Sequence, residues 1–182
     1  MTISSEEASA ALAEVDGIVA RVKQSRVYRR AGDIFILWGA LQFARRGLFW
    51  AFPKLAASGW IVVDLVGVGL TLLLLRDAFR QKRRAPLRLI ATFALFYGFG
   101  WIWADVIGDL GPRQAAAFWP TLFQFGYAVA GLWFGAAFLA IGLGATTLTV
   151  AAYLWAGDAY WLALTIVNGG ALIVAGLWMR RA

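Results

Sequence analysis

From Ala115 to Trp155 the chain carries not one charged side chain. That run is about twice the roughly 20 residues that cross some 30 Å of hydrocarbon as a helix. A soluble domain has no use for it, because a fold in water must cover its outside with polar groups. Divided near Phe134-Gly135, where glycine permits a tight turn, the run reads as two spans. Four apolar stretches of similar length accompany it. The sequence therefore predicts six transmembrane helices, at about 32–52, 58–75, 87–107, 115–133, 136–155 and 159–178. Composition agrees: 62% of residues are hydrophobic and 15% charged, against about half and about a quarter in soluble domains. The fold class that follows is all-α, a polytopic bundle of three hairpins over 31–182, preceded by an amphipathic cytoplasmic helix over 1–30.

The opening segment is acidic where a secretory signal is basic, so it does not read as a signal peptide. Ser4 and Glu7 have capping-box spacing. Leu12, Val15, Ile18, Val19 and Val22 then recur at helical intervals. Glu6, Glu7, Glu14 and Asp16 lead, and Arg21, Lys23, Arg26, Arg29 and Arg30 follow, the order that a helix dipole favours. Such a helix suits a headgroup surface or a docked partner.

Lysine and arginine collect on cytoplasmic loops. With six spans, the basic N-terminal segment, the loop bearing Arg76, Arg80, Lys82, Arg83, Arg84 and Arg88, and the tail Arg180-Arg181 all fall on one face. Both termini are thereby expected in the cytoplasm, and the loop arginines are expected against anionic headgroups, at about 1 kcal/mol per charge. Trp50, Trp60, Trp101, Trp103, Trp119, Trp155 and Trp161 gather at the opposite level, with Trp133 and Trp178 at the near one. Indole favours that depth because its ring is apolar and its N–H wants water. A short repeat, Val129-Ala130-Gly131-Leu132-Trp133 and Val174-Ala175-Gly176-Leu177-Trp178, marks the ends of the fourth and sixth segments.

A net charge of +7 could suggest nucleic acid, but the basic residues sit between apolar runs and not on one soluble module, so no nucleic-acid partner is expected. The chain has no cysteine and no histidine, which removes disulfides, thiolate zinc sites, iron–sulfur clusters and histidine-ligated haem. No cofactor and no metal are expected.

Two polar groups remain inside the apolar segments. Arg46 and Asp64 are equidistant from Leu55 at the tip of the first hairpin, so antiparallel packing brings them to one depth. Gln42 lies one turn before Arg46, and Arg45, Asp105 and Asp109 fall at comparable levels. A buried charge costs roughly 2.5–3.5 kcal/mol near the bilayer centre, so an ion pair is expected there, either as a structural lock or as an outward-opening site. Deeper, Gln124 faces the level of Asn168, which is followed by Gly169-Gly170. That set reads either as interhelical hydrogen bonding or as a broken helix holding a solute. Ala136, Ala140 and Gly144 form a small-residue stripe suited to packing or to an oligomer.

Asp16-Gly17-Ile18-Val19-Ala20-Arg21 resembles the opening of the CDP-alcohol phosphotransferase signature, whose metal-bound aspartates join lipids. The resemblance covers six residues. The family continues with a spaced glycine and two further aspartates, whereas here Arg30 stands in the glycine's place and only Asp33 lies nearby. No serine nucleophile lies within a span, and Asp64 and Asp105 are the one possible carboxylate pair. The reading that follows is a non-catalytic protein of a bacterial cytoplasmic membrane, acting through protein or lipid contacts as a subunit, scaffold or regulator. It is expected to be a homo-oligomer or to bind a membrane-protein partner. A small transporter or channel using the Arg/Asp/Gln cluster is the alternative, and a lipid-modifying enzyme is a third.

Overall fold

The computed structural model describes residues 5–52, 54, 56–80 and 85–181; Ser4 and the loop residues Lys82, Arg83 and Arg84 lie outside them. The described residues are helical almost throughout and contain no strand. Helix α1 is Ser5–Ala51, α2 is Ala56–Arg80, and α3 is Ala85–Trp101, continued by a π-helical turn at Ile102–Ile107. Helix α4 is Pro112–Phe134 and α5 is Ala136–Trp155. A last rod comprises α6, Tyr160–Thr165, a π-helical turn at Ile166–Gly170, and α7, Ala171–Arg181. By length and composition Ile90–Ile107, Ala136–Trp155 and Gly157–Arg181 can cross a membrane. The protein is a helical membrane protein.

Local chemistry explains the element ends. Helix α4 opens at Pro112, whose missing N–H costs nothing in a first turn, while the Gln114 side chain accepts the Gly111 N–H at 2.9 Å. The long uncharged run divides at Gly135, whose φ of 119° is open to glycine and strained for any side chain. Helix α1 behaves differently from its sequence pattern. An amphipathic stretch and a span were expected as two elements meeting near residue 30, yet one helix of 47 residues runs through both. No proline interrupts it, and its one glycine in that region, Gly32, is held in helix by its neighbours.

Those neighbours form the main seam of the molecule. Helix α1 and the last rod lie antiparallel, with Gly32 against the Gly176 carbonyl and Gly39 against the Gly169 carbonyl. A Cβ at Gly32 would stand 2.7 Å from the Gly176 oxygen, and one at Gly39 2.6 Å from the Gly169 oxygen. The glycines are seven residues apart on each helix, so two turns of each backbone approach without side chains between them. Asp33 and Arg180 close the Gly32–Gly176 end of the seam with an ion pair and a 2.7 Å hydrogen bond from Arg180 Nε. Tyr28, Phe35, Ala137, Phe138, Ile141, Ala175 and Met179 then pack α1, α5 and α7 into one core, with Phe35 4.8 Å from the Tyr127 ring.

The second tight joint is the α4–α5 hairpin, where Gly131 and Gly142 each rest on the partner's backbone, at Leu139 and Ala128. The repeated pentapeptide thus has a shared physical role: its glycine, Gly131 in one copy and Gly176 in the other, is a point of helix contact. Helix α2 joins α1 through the Trp38 indole, which donates to Thr71 Oγ1 at 3.1 Å above Gly67. Helix α3 is held more loosely, by Phe96 and Tyr97 against Phe123 and Trp119 of α4. The stripe Ala136, Ala140 and Gly144 faces outward, and a Cβ on Gly144 would meet nothing within 4 Å.

The seam gives a direct test. Gly39→Leu must push two helices apart and is expected to cost about 1–3 kcal/mol, as overpacking does, lowering the detergent melting temperature. Gly144→Leu, on open surface, is expected to leave it unchanged. Equal melting of the two variants would show that the seam is not where α1 and the last rod meet.

Candidate functional site

The deeper polar set is a closed trio. Gln124 is 4%, Thr149 0% and Asn168 8% exposed, one from each of α4, α5 and the last rod. Gln124 Nε2 donates to Asn168 Oδ1 at 2.7 Å and to Thr149 Oγ1 at 3.1 Å. Asn168 Nδ2 turns back to the Leu164 carbonyl at 3.0 Å. At Asn168-Gly169-Gly170, where a broken helix is one of the two readings, the rod makes a π-helical turn. That wider turn leaves backbone carbonyls with poorer intrahelical partners, and the Asn168 amide covers one of them. Among the described residues no buried side-chain polar atom lacks a partner. Gly169 belongs to the α1 seam, while Gly170 faces open space.

Thr149 was not among the expected site residues. Its signal lies in spacing: Gly142, Ala145, Thr149 and Ala152 fall on the one face of α5 that is buried, and a hydroxyl on that face needs a partner.

The outer cluster divides. Arg45 and Asp64 are half-buried and lie within Coulomb reach of each other and of Tyr97 on α3. Arg45 also stands 6.0 Å from the Phe49 ring centre. Arg46, the expected partner of Asp64, is exposed instead, because adjacent positions on a helix point about 100° apart and α1 turns its Arg45 side toward α2. Gln42 is half-buried on the same helix. Asp105 and Asp109 are exposed, the first in the π-helical turn after α3 and the second in the following bend with φ of 41°. Among the described residues no ion pair within 4.0 Å joins Arg45, Asp64, Asp105 or Asp109, so the expected ion pair does not form. What is brought together is Arg45, Asp64 and Tyr97, one from each of α1, α2 and α3, and not the full set of six.

At the start of α4 Arg113 ties three elements together. Its guanidinium donates to the Tyr153 carbonyl at 3.0 Å and lies 4.8 Å from the Tyr160 ring centre, while the buried Tyr160 hydroxyl donates to the Arg113 carbonyl at 2.8 Å. A shallow cleft of about 280 Å3 beside it is lined by Gln114, Phe118, Thr121 and Tyr153, among others. A second, of about 410 Å3, is lined by Arg21, Val22, Gln24, Ser25 and Tyr28 on α1. Of the residues expected in a basic loop, Arg76 and Arg80 lie instead in the last turns of α2 and Arg88 in the first turn of α3, all three exposed, and Arg76 stands 3.9 Å from Asp77.

The segment that resembles the phosphotransferase signature is plain helix within α1, and Asp33 is engaged by Arg180. Among the described residues no three acidic side chains gather as metal ligands. Comparison with family models, with curated proteins and with solved structures finds no match to this chain.

Two expectations separate the polar groups by what they hold. Gln124→Leu strands Asn168 and Thr149 and is expected to cost about 1–2 kcal/mol, read as unfolding in sodium dodecyl sulfate at lower detergent fraction; wild-type unfolding would mean that the trio does not join three helices. Arg45→Ala, by uncovering Asp64, is expected to lower accumulation in membranes well below that of Arg46→Ala. The reverse order would make Arg46 the side chain that offsets the Asp64 charge.

Proposed function

We propose that this protein is a non-catalytic, six-span component of a bacterial cytoplasmic membrane, with both termini cytoplasmic, that works as a scaffold or regulatory subunit by presenting α1 to a partner. The observation that carries the reading is the length of α1. Its 47 residues extend about 70 Å at 1.5 Å per residue, more than twice the hydrocarbon thickness. The half before Gly32 therefore stands outside the membrane. A straight continuation of a span cannot also lie flat on headgroups, so the apolar residues Leu12, Val15, Ile18, Val19 and Val22, all exposed, need a protein to cover them. The three basic clusters on one face support the orientation. The trio at Gln124 spends its hydrogen bonds on joining helices, which supports a structural use of the deep polar groups.

The half-buried Arg45 and Asp64, with Tyr97 beside them, favour a second reading, a small transporter, since ionisable groups inside a membrane often mark a solute or proton path.

Because the chain has no cysteine, single cysteines separate these readings. Gly17→Cys, off the apolar face and with nothing within 4 Å of an added Cβ, is expected to react with a membrane-impermeant maleimide in inside-out vesicles and not in right-side-out ones, while Leu148→Cys stays protected in both. A protein that co-purifies in fixed ratio and is lost with Val19→Asp supports the scaffold. Protection of Gly17→Cys in both vesicle types, or solute flux in proteoliposomes abolished by Asp64→Asn, overturns it.

A further inference from the structure

The exposed face of α1 carries more information than its apolarity. Leu12, Val15, Val19 and Val22 alternate at steps of three and four, and the same alternation continues into Arg26 and Arg29. A strict three–four alternation is the seam of a two-helix coiled coil, in which every such position meets the facing helix. All four apolar members are between 48% and 66% exposed, and both arginines are exposed. Tyr28, Gly32 and Phe35, which pack on the bundle, lie on the other side of α1. The seam is thus directed away from the bundle, apolar at the far end and doubly basic at the end near the membrane.

Three occupants can be weighed. Lipid does not reach most of it: Leu12 is twenty residues before Gly32, about 30 Å along the axis. A second copy is disfavoured by charge. Copies inserted in one bilayer with the same orientation hold their α1 helices parallel, so Arg26 and Arg29 would face their own counterparts at seam positions, where like charges repel. The acid nearest to Arg29 on its own helix, Asp33, is engaged by Arg180. What complements the face is a helix with four apolar seam residues followed by carboxylates.

We propose that residues 12–29 of α1 dock an amphipathic helix of a different, cytoplasmic-side protein, whose apolar stripe covers Leu12, Val15, Val19 and Val22 and whose Asp or Glu side chains meet Arg26 and Arg29. This rests on the reading of α1 as a projecting, partner-binding helix. The carboxylates fix the register and orientation of the partner and select against the chain's own copies.

The test uses the full-length protein in lipid nanodiscs and two designed helical peptides, identical in a leucine seam, one with glutamates and one with lysines facing Arg26 and Arg29. The glutamate peptide is expected to bind about tenfold more tightly by fluorescence anisotropy, a difference suited to two partly exposed charge pairs and shrinking as salt is raised. Arg26→Glu with Arg29→Glu is expected to reverse the preference, and Val19→Asp to abolish binding of both. Equal binding of the two peptides, binding of neither, or disulfide-linked dimers of Val19→Cys in native membranes would overturn the proposal. Maleimide labelling of Val19→Cys on the same nanodiscs keeps the two levels apart. Labelling without peptide discrimination removes the acidic helix alone, whereas protection of Val19→Cys within lipid removes the projecting helix as well.

Discussion

The first and last helices of this molecule meet backbone to backbone, along the line where Gly32 and Gly39 face Gly176 and Gly169. In lipid, helices gain nothing from hiding apolar side chains from one another, since the acyl chains are as apolar as leucine. What remains is close packing, and glycine lets two helices come near enough for extended van der Waals contact and weak Cα–H···O bonds. The first helix is held to the last by this seam, and the Asp33–Arg180 pair keeps it in register. With α1 so placed, the Tyr28–Phe138 and Phe35–Tyr127 ring contacts bring the α4–α5 hairpin against it. The Gln124–Thr149–Asn168 trio then ties the hairpin to the last rod.

Polar groups divide by depth and by how fully their neighbours satisfy them. At the trio every donor finds a partner, so the arrangement stabilises one packing of three helices and leaves little to offer a ligand. Arg45 and Asp64 are only half-buried, near Tyr97 of α3, a helix attached to α4 mainly by aromatic rings. If any part of the transmembrane domain opens without unfolding, this is the joint with the fewest tight contacts to break.

Much of the architecture was legible in the sequence because hydropathy and glycine carry it. The division at Gly135 could be read since few other residues adopt its backbone angle. The apolar stretches at 90–107, 136–155 and 157–181 needed only length and composition. The choice between Arg45 and Arg46 was not legible, because depth can be counted from a hairpin tip but helix rotation cannot. Thr149 was hidden for a related reason: in an uncharged run, one hydroxyl on the buried face looks like its neighbours Thr146 and Thr147. The continuity of α1 was obscured by a change of pattern, amphipathic before Arg30 and apolar after it, which resembles a boundary although no residue there stops a helix. Nothing in the sequence links Asp33 to Arg180, and only the antiparallel seam brings them together.

One unbroken α1 also has a mechanical meaning. The part before Gly32 is about 40 Å long at 1.5 Å per residue, rigidly joined to the part that rests in the glycine seam. A tilt of the half packed in that seam by about 10° would sweep the far tip sideways by about 7 Å over that length. Small rearrangements among the packed helices would reach the tip enlarged, and a load applied to the tip would be felt at Gly39 and Gly169 with leverage. A hinge near residue 30 would have dissipated both.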